Sequence, residues 1–147
     1  MVNTSLAGRV YPPTAPYEVG REKIAEFAAV AGPHPVHTDP AAARALGYPD
    51  VIAPPTFAVL VAQRCDAQLV MDPESGIDFS RVVHGEQRFT HHRPVVAGDR
   101  LIAVLHVETM RAAGGGAMVT TRSEISTEAG DAVCTARSTI VVRGADA

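Results

Sequence analysis

Hydrophobic residues recur at helical spacing in two segments of the chain. In residues 20–32 the apolar side chains fall on one helix face, charged residues occupy the other face, and Gly32 is a stop signal. The apolar positions of this helix are Ile24, Phe27, Ala28 and Ala31. Residues 56–71 are apolar on more than one face, which predicts a helix that lies inside the protein and is wrapped by a larger element.

The second half of the chain has the composition and partial alternation of β-strands. Strands are predicted over residues 81–92, 99–113, 117–129 and 131–144. Short turn signals separate them, such as the glycines at 114–116, so strands adjacent in sequence are expected to be antiparallel neighbours. A buried helix followed by antiparallel strands predicts an α+β fold in which a sheet curls around a central helix.

Prolines mark the segments outside these elements. Residues 9–19 contain three prolines and no clear period, which predicts an extended arm, about residues 1–18, laid over a single domain of residues 1–147. Asp39 followed by Pro40 is typical of a helix N-cap with proline at the first helical position. This pair predicts a short helix that ends at Gly47.

The composition narrows the classes of function. A chain of 147 residues with 46% hydrophobic residues and a net charge of −3 suits one folded domain and does not suggest a nucleic-acid partner. The sequence has no apolar run long enough to span a bilayer and no N-terminal leader pattern, so we expect a cytoplasmic protein. Cys65 and Cys134 lie far apart, and we expect two reduced, packed thiols.

The stretch AGPHPVHTDP, residues 31–40, carries the candidate chemistry. His34 and His37 are three residues apart, and Asp39 follows two residues later, so the loop could form part of an acid/base site. Three other interpretations stay open: a His37 that only caps or packs, a solvent-facing His34, and an Asp39 that caps the following helix. His91 and His92 are adjacent on a predicted strand and would point to opposite faces, so we expect no metal site there.

Several segments together resemble a known family. They are YEVGREKIAEFA, DVIAPPTF, RVVHGEQRFTHHRPVVAGDRL and TARSTIVVRG, spread over about residues 8 to 143. In these segments and in the order of its elements the chain resembles the hot-dog fold proteins of the MaoC-like hydratase/dehydratase superfamily. It is most similar to the N-terminal, type I fatty acid synthase-like dehydratase branch, to which subunits of (3R)-hydroxyacyl-ACP dehydratases belong. The resemblance implies a hot-dog domain that adds water to, or removes it from, acyl thioesters carried on CoA or acyl carrier protein, without any other cofactor.

The resemblance also implies which loop residues react. Active relatives carry a pattern like Gly-Asp-x-Asn-Pro-x-His-x-Asp, whose second half matches residues 35–39 and places His37 on the catalytic histidine. The position of the catalytic Asp holds Gly32, and the Asn position holds His34. The usual Asp-His dyad is therefore broken, and His34 or Asp39 remains as a substitute acid.

The expected substrate contacts lie at the start of the long helix and on the first long strand. Relatives have His-Gly where this chain has Pro54-Pro55, and because proline has no N–H, the donors to a thioester carbonyl would come from Thr56 or Phe57. The candidate substrate-binding residues are Pro55, Thr56, Phe57, His84 and Gly85. The structural alternatives are favoured: a place in the core for Phe57, and an ordinary strand with a glycine irregularity for His84 and Gly85.

The resemblance implies a dimer, because relatives place two hot-dog domains side by side. The second domain would be another copy of the chain or a related chain that supplies the intact dyad. The chain is then a dehydratase family protein, and its partial dyad favours the auxiliary subunit of a two-subunit dehydratase. The rival class is a non-catalytic protein that binds acyl-CoA or acyl carrier protein.

Overall fold

Four helices precede a run of long strands in the computed structural model, which describes residues 1–144. The helices are α1 (Arg21–Ala31), α2 (Pro35–Thr38), α3 (Pro40–Ala45) and α4 (Val59–Val70). The strands are β1 (Tyr17–Glu18), β2 (Val82–His91), β3 (Arg100–Ala113), β4 (Gly116–Thr127) and β5 (Ala132–Val142). This arrangement confirms the predicted α+β class, and no helix of the described residues is both long enough and apolar enough to cross a membrane.

The core lies between α4 and the concave side of one five-stranded antiparallel sheet, whose order is β1-β3-β4-β5-β2. Helix α4 lies against β3 and β4, and Val61, Cys65 and Leu69 on its inner face are buried. The expectation that this helix is buried all round is only partly right, because Gln63 and Arg64 are exposed. The sheet covers one side of α4 and leaves the other side open.

The predicted pairing of β2 with β3 is wrong. Strand β2 pairs with β5, and β3 pairs with β1 and β4. The N-terminal arm takes the remaining side of β3: the backbone N–H groups of Gly8, Tyr11 and Thr14 donate to β3 carbonyls at 2.8–2.9 Å. After the 3-10 turn Thr4–Leu6 the arm therefore runs along β3, and within residues 1–144 the open edge of the sheet is β2.

Glycines occur where the backbone geometry requires them. The turn between β3 and β4 is a hairpin, and Gly114 and Gly115 have φ of 53° and 78°, which suits a two-residue turn with positive φ at both positions. In β2 the register shifts between His84 and Glu86, so Gly85 is a bulge residue. A Cβ at Gly85 would lie 3.2 Å from the carbonyl oxygen of Thr139.

Candidate functional site

The loop between α1 and α3 contains a helical turn that the sequence did not predict. Gly32 ends α1 with φ of +141°, a conformation that side chains other than glycine rarely adopt. His34 then caps the single turn α2, because its Nδ1 accepts a hydrogen bond from the backbone N–H of Val36 at 3.1 Å. Pro35 occupies the first turn, where a missing N–H costs little. This turn carries His37 into the protein.

The His37 imidazole is buried, with 9% of its surface exposed. Its Nδ1 lies 2.6 Å from the carbonyl oxygen of Ile52, and since a carbonyl can only accept, Nδ1 must carry the proton. In the neutral ring Nε2 is then the acceptor. Ile52 is itself held, because its N–H donates to the carbonyl of Val36 at 3.2 Å and the next N–H, of Ala53, donates to Val95 at 2.8 Å. The backbone therefore fixes both the tautomer and the position of the ring.

His37 faces a cleft of about 690 Å³ between α2, the segment 52–55 and the segment 91–95. The lining residues are His34, Val36, His37, Ile52, Ala53, Pro54, Pro55, His91, His92, Arg93, Pro94 and Val95. Arg93 is neutralised by Asp99 through two hydrogen bonds of 2.8 and 2.9 Å. No carboxylate appears among these lining residues of the described chain, so the cleft offers a base without a carboxylic acid.

His34 also lines this cleft, and its ring centre is 6.2 Å from that of His37. Because its Nδ1 accepts from Val36, the proton of the neutral ring is on Nε2. The two imidazoles thus have opposite roles: His37 offers an acceptor, whereas His34 offers a donor. A neutral imidazole N–H is a weak acid, so this pair can orient water better than it can protonate a leaving hydroxide.

Asp39 does not join the two histidines. Its Oδ1 accepts a hydrogen bond from the N–H of Ala41 at 2.9 Å, and Asp39 is the N-cap of α3. It is absent from the cleft lining. Of the interpretations that the sequence left open, the capping role is the one that the structure supports.

The residues just before α4 that were expected to contact substrate lie in different surroundings. Pro55 lines the cleft, but Phe57 is fully buried and lies 5.4 Å, ring to ring, from Phe27. The N–H of Phe57 is also used, since it donates to the carbonyl of Pro54 at 2.9 Å. Phe57 is therefore a core residue, and of the two expected donors only the N–H of Thr56 has no acceptor among the hydrogen bonds of residues 1–144.

His84 lies in a second groove, away from His37. This groove of about 520 Å³ lies between the second half of α4 and the beginning of β2. Its lining is Gln63, Asp66, Ala67, Val70, Met71, Phe79, Val82, His84 and Ile140. Of the predicted substrate contacts, Pro55 thus lines the cleft and His84 lines the groove, whereas Thr56, Phe57 and Gly85 line neither.

The sequence did not single out Asp66, and it raised His91 only as a possible metal ligand. The Asp66 carboxylate accepts a hydrogen bond from Thr121 at 2.7 Å, and burial raises its pKa above the ordinary value of 3.8. The only sequence signal for Asp66 was an acidic residue in an otherwise apolar helix. His91 has its Nε2 2.7 Å from the carbonyl oxygen of Pro55, a contact with backbone that no residue pattern reveals.

Comparison with known proteins gives the family context for this geometry. Residues 5–136 match the family model of the FAS1-like, dehydratase domain region. The chain is 57% identical to a UPF0336 protein of Saccharopolyspora erythraea, over 97% of this chain and 92% of the relative. It is also 57% identical to a UPF0336 protein of Clavibacter michiganensis, over 99% of each chain.

Two solved structures similar to this chain identify its fold. A chain of the HadBC (3R-hydroxyacyl-ACP dehydratase) complex from Mycobacterium tuberculosis is 32% identical, with a TM-score of 0.81 over 92% of this chain and 96% of that one. A MaoC-like dehydratase is 38% identical, with a TM-score of 0.85 over 95% of this chain and 43% of the larger protein. The five-stranded sheet around α4 is thus the hot-dog fold.

Proposed function

Since this chain belongs to the family of the FAS1-like dehydratase domain, we propose that it acts on (3R)-3-hydroxyacyl and enoyl thioesters as one subunit of a paired hot-dog hydratase/dehydratase. His37 is the observation that carries this proposal. This buried imidazole lines the cleft and gives its Nδ1 proton to Ile52, which leaves Nε2 as the basic nitrogen.

Removal of water from a 3-hydroxyacyl thioester needs two proton transfers. A base takes the proton from C2, a double bond forms between C2 and C3, and the hydroxide on C3 leaves as water after receiving a proton. His37 Nε2 is the base in this proposal, and the N–H of Thr56 is a donor for the thioester carbonyl as it gains negative charge. The water that forms is the only other product, and no metal or further cofactor takes part.

The second proton transfer, to the leaving hydroxide, limits the rate of the reaction in the isolated chain. Loss of a general acid typically slows a reaction by about 10²–10⁴-fold, and the cleft of the described chain has no carboxyl group to replace the one missing at Gly32. His34 is a weak substitute. We therefore propose that the isolated chain is slow and that a related subunit with an intact acid supplies most of the activity.

The open edge of the sheet suggests where that subunit pairs. Strand β2 is uncovered within residues 1–144, whereas the arm covers the other edge, and open edges favour pairing with another strand. Phe79 and Met71, beside β2, are 71% and 74% exposed large apolar residues. The similar HadBC protein is described as a complex, which supports a heteromeric arrangement over two copies of this chain.

Pairing through β2 would join the cleft and the groove. In an antiparallel pair the His91 end of one strand meets the Val82 end of the other. The cleft lies at the first end and the groove at the second. A thioester beside His37 would then have its acyl tail in the apolar groove of the partner. This is the arrangement that we propose for fatty acyl substrates, whether on CoA or on acyl carrier protein, in the cytoplasm.

A second candidate function is acyl-thioester binding without water chemistry, which the lack of a carboxylate in the cleft favours. Hydration of crotonyl-CoA separates the two. We expect slow hydration by the purified chain and faster hydration when it is co-expressed with a hot-dog protein encoded next to it. If neither preparation turns over but the chain binds crotonyl-CoA in calorimetry, the binding function replaces the enzymatic one.

A further inference from the structure

We propose that His91 is a positioning residue of the cleft: by holding the carbonyl of Pro55 it completes the anchoring of segment 52–55, and through Ile52 it contributes to the orientation of the His37 ring. This inference rests on the proposed function for its kinetic consequence. Its structural part concerns this chain alone and can be tested separately.

Ile52 and Ala53 are held by backbone hydrogen bonds to Val36 and Val95, but the rest of segment 52–55 has few connections to the protein. The N–H of Ala53 donates to Val95 at 2.8 Å, but Pro54 and Pro55 have no N–H to donate. The carbonyl of Pro54 accepts from Phe57, which is a local contact. Among the hydrogen bonds of the described residues, the one from His91 to Pro55 is therefore the only one that ties residues 54–56 to a distant element.

The tautomer of His91 follows from the same contact. A carbonyl oxygen only accepts, so the Nε2 of His91, 2.7 Å from the oxygen of Pro55, must carry the proton. His37 has the opposite arrangement, with its Nδ1 proton on Ile52. Segment 52–55 is thus held by an imidazole at each end, one from α2 and one from the last residue of β2.

The link from His91 to His37 is short and continuous. His91 holds Pro55, and three residues earlier the carbonyl of Ile52 receives the proton of His37 Nδ1. A shift of this segment would rotate the His37 ring, since a hydrogen bond of 2.6 Å leaves little freedom. Small errors in the placement of a base lower the rate of proton transfer. His91 therefore acts on the reaction through His37.

Two amide side chains of different reach test this inference. Glutamine places its amide near the position of imidazole Nε2, whereas asparagine places it near Nδ1, too short to reach Pro55. His91→Asn is therefore expected to change the ¹H–¹⁵N signals of the His37 imidazole in the folded protein. It should also lower kcat for crotonyl-CoA hydration about three- to tenfold, with less than a twofold change in KM, because one hydrogen bond is lost. His91→Gln should restore both. His106→Leu, on β3 and outside both the cleft and the groove, is the control and should change neither.

The outcomes separate this inference from the function. If His91→Asn leaves the His37 signals and kcat as in His106→Leu, or if His91→Gln does not restore them, the inference is wrong. If the wild-type chain shows no hydration, yet the His37 signals change in His91→Asn and recover in His91→Gln, the positioning role stands and the proposed reaction fails.

Discussion

Replacing His37 by asparagine would remove the proposed base and keep the hydrogen bond to the carbonyl of Ile52, which holds the His37 ring in the wild type. The asparagine amide lies near the position of Nδ1 and can still donate to the carbonyl of Ile52, which is 2.6 Å from Nδ1 in the wild type. No atom of asparagine replaces Nε2. We therefore expect the free energy of unfolding to fall by no more than about 1 kcal/mol, at the lower end of the range for single substitutions, while the chemistry is lost.

The expected kinetic effect is large. Loss of a general base slows a reaction by about 10²–10⁴-fold, which corresponds to about 3–5 kcal/mol of transition-state stabilisation. His37→Ala should slow hydration equally and also lower the free energy of unfolding by about 1–3 kcal/mol, because the partly buried carbonyl of Ile52 loses its donor. The measurements are initial rates of crotonyl-CoA hydration at high concentrations of the purified chain, and urea unfolding of each variant.

Two results would exclude these roles of His37. A His37→Asn variant that retains hydration within threefold of the wild type would show that Nε2 is not the base. A His37→Ala variant as stable as His37→Asn would show that the contact with Ile52 contributes nothing to folding.

Three further predictions concern residues other than His37 and Ile52. Burial raises the pKa of Asp66 above 3.8, so the folded protein keeps this proton to a higher pH than the unfolded chain does. In urea unfolding, the free energy of unfolding of the wild type should therefore fall relative to that of Asp66→Asn as the pH rises from about 4 to about 7. A difference between these two proteins that stays constant with pH would contradict the raised pKa. Gly32→Asp should lower the free energy of unfolding by about 1–2 kcal/mol, because φ is +141° at this position, although a Cβ there would have open space. Gly20→Asp is the control: Gly20 is the N-cap of α1 with φ of −94°, so this change should not lower the free energy of unfolding. Burial raises the pKa of Cys65 and of Cys134 to about 11, so Ellman's reagent should modify neither thiol in the native chain and both in denaturant; rapid native reaction would contradict it.

Local signals in the sequence predicted the elements whose causes are local. Helix α1 ends at Ala31 before Gly32, and Asp39 caps α3, because stop and cap signals act within one turn. Turn α2 was missed because its cap is the unusual side chain of His34. Without that contact the proline-rich stretch looks like a loop.

The pairing of β2 could not be read from the sequence, because it depends on competition between distant segments. The arm takes the edge of β3 that a β2–β3 hairpin would need. His37 was predicted as the candidate base from the resemblance, but its contact with Ile52 and the contact of His91 with Pro55 involve backbone carbonyls. Every residue has such a carbonyl, so the residue types carry no signal for these contacts.

The protonation site of the His37 ring decides whether Nε2 is the base of the cleft. Long-range ¹H–¹⁵N spectra of the imidazole, recorded with and without butyryl-CoA as an unreactive thioester, show which nitrogen carries the proton and whether the other meets the ligand. We expect a proton on Nδ1, a proton-free Nε2, and a change in the Nε2 signal when butyryl-CoA binds. A proton on Nε2 in the free chain, or an Nε2 signal that stays unchanged at saturating butyryl-CoA, would contradict it.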